Sequence, residues 1–313
     1  MSAEYESENG LDVHSLRVVK AISDEGSITR AAQSLGFSQP ALSQHVRRLE
    51  HKLGIGIVER VGRTVRLTEA GRILARHAPA VKNALDAASE ELDELRGLRS
   101  GRVRLVGFPS ASPTVLPKLL ADLAERHAGI SVSYVEAEPP EAVGAVRQDR
   151  ADVALTFSYP GDRDDPHLSS ARGLSVRSIG RDQMLAVLPS NHPVARATYS
   201  GGEVDVSLLA EEDWIAGCPR CRGHLLELCG RAGFEPRITF ETDNFIAVES
   251  LVAQGIGVAT LPRLAVDSVP PMPGVVTIAL PRGEERTVHV VTAHGAESVP
   301  TVRATLAALR RVL

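Results

Sequence analysis

Residues 27 to 53, SITRAAQSLGFSQPALSQHVRRLEHKL, constrain the fold more than any other stretch, because two helical periods meet there across a turn of a few residues. Ile28, Ala31, Ala32 and Leu35 fall at helical spacing, and Gly36 follows where glycine most readily supplies a left-handed C-terminal cap. Ser38 stands at the N-cap of a second helix with Pro40 in its first turn, where the missing N–H costs nothing. That helix repeats Leu42, Val46, Leu49 and Leu53 at steps of four, three and four, leaving Gln39, Ser43, Gln44, Arg47 and Arg48 on its other faces. Amides and guanidiniums displayed in this way read base edges and bind phosphates. The pattern predicts a helix-turn-helix over 28–47 that meets DNA; a helical hairpin with a merely solvated outer face is the competing reading.

The continuation, IGIVERVGRTVRLTEAG, weighs against that competitor. Two short apolar-alternating segments flank Gly62 and gather Arg60, Arg63 and Arg66 around a turn, the pattern of a β-wing. A winged helix-turn-helix lays the helix beginning at Ser38 in the major groove and the wing along the backbone or minor groove, where the negative potential favours arginine. The candidate DNA contacts are Thr29, Arg30, Ser38, Gln39, Pro40, Ser43, Gln44, Arg47, Arg48, Arg60, Arg63 and Arg66. The spaced identities AA-x-x-L-x-x-SQPALS-x-x-x-x-x-LE-x-x-LG and ER-x-GR-x-x-x-LT-x-AG closely resemble the LysR-type transcriptional regulators. The resemblance implies regulation of transcription by a protein that is not an enzyme.

Charge agrees with a DNA-binding head. Residues 11–68 carry nine Lys and Arg against five acids, while the whole chain has a net charge of −4. A basic module on an acidic body suits phosphate neutralisation by one part only. The acidic leader MSAEYESENG reads as a disordered tail over 1–10, and is wrong for a secretory signal. With 313 residues, 43% of them hydrophobic, two or three globular domains are expected, and no apolar run approaches the ~18 residues of a membrane span. Three cysteines are too few for a disulfide framework, which fits a reducing, cytoplasmic setting.

From Arg72 to Arg96 there is no glycine, and Leu74, Ala78, Val81, Leu85, Ala88, Leu92 and Leu95 recur at alternating steps of four and three. This heptad seam suits a helix over 69–98 that pairs with a second copy through Leu74, Val81, Leu85, Leu92 and Leu95; packing on its own body has the same period. Pro79 removes one internal hydrogen bond and invites a kink. In the family that the chain resembles, this linker helix makes a homodimer, itself able to pair into a homotetramer, so that two recognition helices meet an inverted-repeat site in double-stranded DNA.

Beyond residue 101 strands alternate with helices. Strand runs at 103–108, 130–138 and 151–157 are separated by helical segments at 113–126 and 141–149, which implies a parallel sheet under helices. A second set follows: strand 184–189, a helix from about Gly223 to Arg231, strand 237–242, helix 244–254 and strand 257–262. The remaining elements, VVTIAL, TVHVVTA and a helix over 299–313, are too few for a core of their own and are expected back in the first lobe. Two such α/β lobes resemble the type 2 periplasmic-binding-protein fold that LysR regulators use to sense effectors, and QMLAVLPSNHPVA and FIAVESLVAQGIGVATLPRLA match that family. The expected effector domain is 101–313, with one lobe at about 101–170 and 269–313 and the other at about 171–268. A free solute-binding protein would have no use for the first 68 residues.

Ligands of open α/β sheets bind beyond the carboxyl ends of the strands. Those positions are Ser110, Ala111 and Ser112 after the first strand, Thr156 and Phe157 after the third, Gly217 and Cys218 before one helix, and Thr242 and Asn244 before the next. Ser112 with Pro113 reads as a helix start whose free N–H groups suit a carboxylate, and Ser110 is similar in place to the hydroxyl residue that contacts effectors in many relatives. Where others often carry threonine after the second strand, this chain has Glu138, Pro139 and Pro140, which leaves the class of small-molecule effector open.

All three cysteines lie in CPRCRGHLLELC. Cys218, Cys221, His224 and Cys229 admit three readings: packing, oxidation of a thiol whose pKa Arg220, Arg222 or a helix N-terminus lowers, or a four-ligand zinc site. The peroxide-sensing LysR regulators also use two cysteines in this region, one residue further apart than Cys221 and Cys229. His192, His289 and His294 form no triad or metal pattern with the carboxylates, Asp213 is near His224 only in sequence, and no phosphate loop or cofactor motif appears.

Overall fold

Local capping chemistry sets out the N-terminal head. The computed structural model describes residues 11–61, 64–95, 101–161, 171–197 and 202–313. Asp12 accepts the Ser15 N–H at 2.6 Å and starts α1 (Val13–Glu25), which Gly26 ends in the left-handed conformation. Ser27 caps α2 (Ile28–Ser34), Gly36 turns the chain at φ 73°, and Ser38 caps α3 (Gln39–Leu53). Val18, Val19, Ile22, Ala31, Ala32, Leu42, Val46 and Leu49 close over one another in a core that also takes in Ile57 and Leu67. The wing is an antiparallel pair, β1 (Val58–Val61) and β2 (Thr64–Leu67). Glu50 fastens it to α3 by accepting the N–H groups of Ile57 at 2.8 Å and Val58 at 3.1 Å. Gly71 is required where the chain leaves the wing, since a Cβ there would lie 2.3 Å from the Ile57 carbonyl oxygen.

Helix α4 (Glu69–Leu95) runs through Pro79 without interruption. Its two long faces have different uses. Ala78, Asn83 and Ala87 are buried, Asn83 donates to the His294 carbonyl at 3.0 Å, and Glu90 accepts from the Thr301 N–H at 3.0 Å and its hydroxyl at 2.8 Å. This face packs on the chain's own first lobe.

The first lobe contains β3 (Gly101–Gly107), α5 (Val115–Arg126), β4 (Ile130–Glu136), α6 (Pro139–Arg147) and β5 (Val153–Ser158), with β3 parallel to both of its neighbours. Next comes β6 (Leu174–Pro189), sixteen residues long, which crosses between lobes. The second lobe holds α7 (Pro193–Ala197), β7 (Asp213–Ala216), α8 (Pro219–Arg231), β8 (Arg237–Glu241), α9 (Phe245–Ala253), β9 (Val258–Pro262), α10 (Arg263–Val266) and β10 (Val275–Ala279). Strand β11 (Glu285–Ala293) and α11 (Pro300–Val312) complete the first lobe. The strand order is β4-β3-β5-β11-β6-β9-β7-β8, with β10 also on β6. Residues 174–183 of β6 pair with β11, whereas 184–189 pair with β9 and β10, so the sheet changes lobe in the middle of one strand.

Several local expectations give way. The chain does not return to the first lobe near 269: β10 lies antiparallel to Leu185–Pro189 in the second lobe's sheet, and the return comes with β11. Strand β7 escapes sequence reading because four residues, with Trp214, Ile215 and Ala216 all buried, show no alternation. Ser112 and Pro113 do not start a helix, because a 3₁₀ turn at Pro109–Ala111 intervenes and α5 begins only at Val115. Helix α6 starts at Pro139 rather than 141, since prolines suit a first turn. No helix among the described residues is long and apolar enough to cross a membrane. The expected tail at 1–10 and the Arg63 contact lie outside the described residues.

Candidate DNA-binding surface and effector cleft

Thr29 and Arg30 at the start of α2, Gln39, Ser43 and Arg47 on α3, and Val58, Glu59 and Val65 of the wing line one concave surface. Gln39 donates to the Ser43 hydroxyl at 2.9 Å, and the Arg30 guanidinium is held by the Glu25 carbonyl. Ser38 serves as a cap, accepting the Ala41 N–H at 3.3 Å. Pro40 and Gln44 are exposed beside the surface. Arg48 is not one of its walls: about 100° per residue of helical rotation turns it from Arg47 towards the flank that carries His45. Arg66 is exposed on β2 near Arg72; the side chain of Arg60, like Arg63, lies outside what is described.

The heptad seam on α4 divides. Leu74 packs against the core of the head, which removes it from the seam. Val81 is half-buried, while Leu85 and Leu92 remain 49% and 55% exposed in the single chain. Leu95 ends the helix, its side chain outside the described set.

The second site is a small, partly open cleft between the lobes, with a cavity volume of about 60 Å³. Phe108, Ser110, Glu138 and Phe157 reach it from the first lobe; Gly217, Cys218, Cys221, Thr242, Asp243 and Phe245 reach it from the second. At its base the crossing strands put Arg286 of β11 directly opposite Asp182 of β6. Arg286 donates from Nε to Asp182 at 2.8 Å and from an Nη to the Ser110 hydroxyl at 2.6 Å, and its guanidinium lies over the rings of Phe108 and Phe157 at 4.7 and 4.4 Å. Asp182 spends its other oxygen on the Leu264 N–H at 3.0 Å.

Ser110, Phe157, Gly217, Cys218 and Thr242 therefore meet in the cleft, and Ala111, Ser112, Thr156 and Asn244 do not line it. Ala111 and Thr156 are buried behind it. Ser112 turns to the Tyr134 hydroxyl at 2.9 Å and the Glu136 carboxylate at 2.6 Å. Asn244 caps α9, accepting the N–H groups of Ile246 and Ala247 at 3.0 and 3.2 Å.

Two family models divide the chain. The helix-turn-helix model of bacterial regulatory proteins of the lysR family matches residues 13–72, and the LysR substrate binding domain matches 96–313. The chain is a LysR-type transcriptional regulator. It is 29% identical over 96% of its length, and 97% of the relative's, to a probable HTH-type transcriptional regulator LrrA of Synechococcus elongatus. It is 31% identical to a probable hydrogen peroxide-inducible genes activator of Mycobacterium avium, covering 80% of this chain and 78% of that one. Among solved structures, a C206 mutant of Corynebacterium glutamicum OxyR superposes with a TM-score of 0.58 at 25% identity, covering 96% and 91% of the two chains. The relatives are named as regulators, not enzymes.

Within this regulator the cysteines separate. Cys218 is the N-cap of α8, and its sulfur stands 2.8 Å from that of Cys221, with the Tyr159 hydroxyl 3.6 Å from Cys221. A hydrogen bond from Cys218 holds the Cys221 thiol below its ordinary value, assisted by Tyr159 and Arg286, and the same pairing pushes Cys218 up. Cys229 lies two turns further along α8 in the apolar core, where burial pushes its thiol up to about 12. Among the described residues no group of three or more His, Cys, Asp or Glu is placed to hold a metal ion, so the four-ligand zinc set does not assemble.

His224 explains part of that failure, because its ring stacks on Tyr159 at 4.1 Å, with 5° between the planes. Burial lowers its pKa to about 4. Glu284 stands 3.4 Å from His224 Nε2 without hydrogen-bond geometry, and Arg231 occupies its other oxygen at 2.5 Å, so burial outweighs that carboxylate. A His neutral in the fold binds its proton only on unfolding below pH 6.5. Its contribution is whole above pH 6.5 and is lost as the pH falls towards 4, about 3 kcal/mol in all. Comparing urea midpoints at pH 7 and pH 4.5, His224→Phe should show a clearly smaller acid loss than the wild type; equal losses would refute the assignment.

Arg286 and Glu138 are the residues that sequence reading missed. An arginine in an alternating strand normally signals a solvent face, and only the opposing Asp182 marks this one as internal. Glu138 was visible as a departure from the family pattern, without a hint that its side chain enters the cleft.

Proposed function

We propose that this regulator works in the cytoplasm as a homodimer or homotetramer, binding an inverted-repeat promoter site and answering to a small molecule held between its lobes. In this reading residues 11–68 form the head, 69–98 the pairing linker and 101–313 the effector domain. The observation that carries it is the cleft itself. Both lobes contribute walls, and the two crossing strands beneath it carry any change of lobe angle. An effector that binds one lobe arrangement better than another shifts the population of assemblies, and with it the spacing of the DNA-binding pairs. The concave surface of Thr29, Arg30, Gln39, Ser43 and Arg47 supplies base and phosphate contacts, and the exposed Leu85 and Leu92 the pairing seam.

A second reading has one observation in its favour. The Cys218 and Cys221 sulfurs, 2.8 Å apart, need only a small approach to form a disulfide, and relatives include a peroxide-inducible activator. In it, oxidation rather than binding closes the switch.

A footprint on the DNA upstream of the coding region tests both readings. An inverted repeat should be protected in reductant, and Gln39→Ala should weaken that site by about 1–3 kcal/mol while leaving random DNA unchanged. Equal loss on both sequences would remove Gln39 from base reading. A footprint that changes length with oxidant in the wild type, and not in Cys221→Ser, favours the second reading over the first.

A further inference from the structure

The charged groups in the walls of the cleft do not match one another. Arg286 is the only cationic wall residue among those described, and its charge is already paired with Asp182, with Nε and one Nη committed to Asp182 and Ser110. A ligand carboxylate would find the one described wall cation already neutralised by Asp182, and it would meet Glu138 and Asp243. Glu138 Oε2 is buried with no hydrogen-bond partner. A carboxylate oxygen shut away from water without a donor is costly, so a group that supplies a donor at that point is bound with advantage. The surrounding surface is apolar, with Phe108, Phe157, Met184, Phe245, Val248 and Leu261 in the walls.

We infer that the effector is a small amphipathic cation, an ammonium or amidinium on an apolar body, and that Glu138 is the residue that selects it by accepting its N–H. This rests on the cleft being the effector site. The ligand's N–H groups supply what Glu138 lacks, its positive charge offsets Glu138 and Asp243, and its hydrocarbon part fills the space between the aromatic walls. Burial pushes the Glu138 carboxyl up and Asp243 adds to this, against the opposing pull of Arg286 and a Cys218 hydrogen bond, so a cation seated beside it would be favoured by lowering it again.

The test uses the full-length protein and calorimetric titration with two matched pairs of probes: hexylammonium against hexanoate, and phenethylammonium against 3-phenylpropanoate. The ammonium probes should bind saturably and the carboxylates should not. Glu138→Gln should weaken ammonium binding at least tenfold with an unchanged circular dichroism spectrum, and Glu138→Asp should recover part of it. Carboxylates that bind as tightly as the amines, ammonium binding undiminished in Glu138→Gln, or no binding of either class would each overturn the inference. Thr242→Phe, which narrows the cleft, separates the two levels. Carboxylate binding that this variant abolishes overturns only the charge assignment, and probe binding that it leaves intact lies elsewhere and overturns the cleft reading too.

Discussion

Replacing Arg286 with methionine is expected to destabilise the effector domain by about 3–5 kcal/mol. Arg286 and Asp182 are 3% and 2% exposed, so truncating the cation leaves a buried carboxylate with one hydrogen bond, from Leu264, to hold it. The loss belongs to the uncompensated charge more than to the pair itself. The double variant Asp182→Leu with Arg286→Met should therefore regain most of the stability, since an apolar pair of similar volume removes both desolvation costs. Urea midpoints of the wild type, the single variant and the double variant decide it; a double variant no more stable than the single one would show that the loss came from packing. The double variant should still fail to answer to effector, because Ser110 loses its donor at the base of the cleft.

The other large effect is expected at the linker. Val81→Lys together with Leu85→Lys should give monomers by sedimentation velocity, since a 27-residue helix with Leu85 and Leu92 uncovered offers its apolar stripe to a second copy. Affinity for an inverted repeat should then fall by about 10²–10⁴-fold, because the second half-site is no longer bound at the high effective concentration that the first provides. Affinity for an isolated half-site should barely change. An intact dimer would move the interface off this seam, and a loss of similar size on the half-site would place the damage in the head.

The head was legible residue by residue because its signals are local. A cap, a left-handed glycine and an apolar period each act within four residues, and Ser38, Gly36 and the Leu42, Val46, Leu49 series fall where those rules put them. The seam was legible as a period but not as a surface: Leu74 shares the spacing of Leu85, yet the head packs on one, and among the described residues the other stays 49% exposed. In the cleft the after-strand rule found Ser110, Phe157, Gly217, Cys218 and Thr242, and it also found Ser112 and Asn244, whose side chains turn to Tyr134 and to a helix end. The rule gives the position of a Cα and says nothing of where the side chain goes.

The sequence by itself determined the family, the winged helix-turn-helix, the linker helix and most of the alternation of strands and helices beyond it, because each depends on spacing along one element, whereas the short buried β7 left no period to read. Tertiary structure alone decided that β10 stays in the second lobe, that Arg286 faces Asp182 across the crossing strands, that Glu138 lines the cleft with one carboxylate oxygen buried and unsatisfied, and that Cys229 parts from Cys218 and Cys221. Arg286 and Asp182 are more than a hundred residues apart in the chain, and the β10 pairing and the setting of Glu138 likewise depend on distant segments. Cys229 is near its partners in sequence but is carried along α8 into the apolar core. No local period records which strands become neighbours or which side chains are shut away from water together.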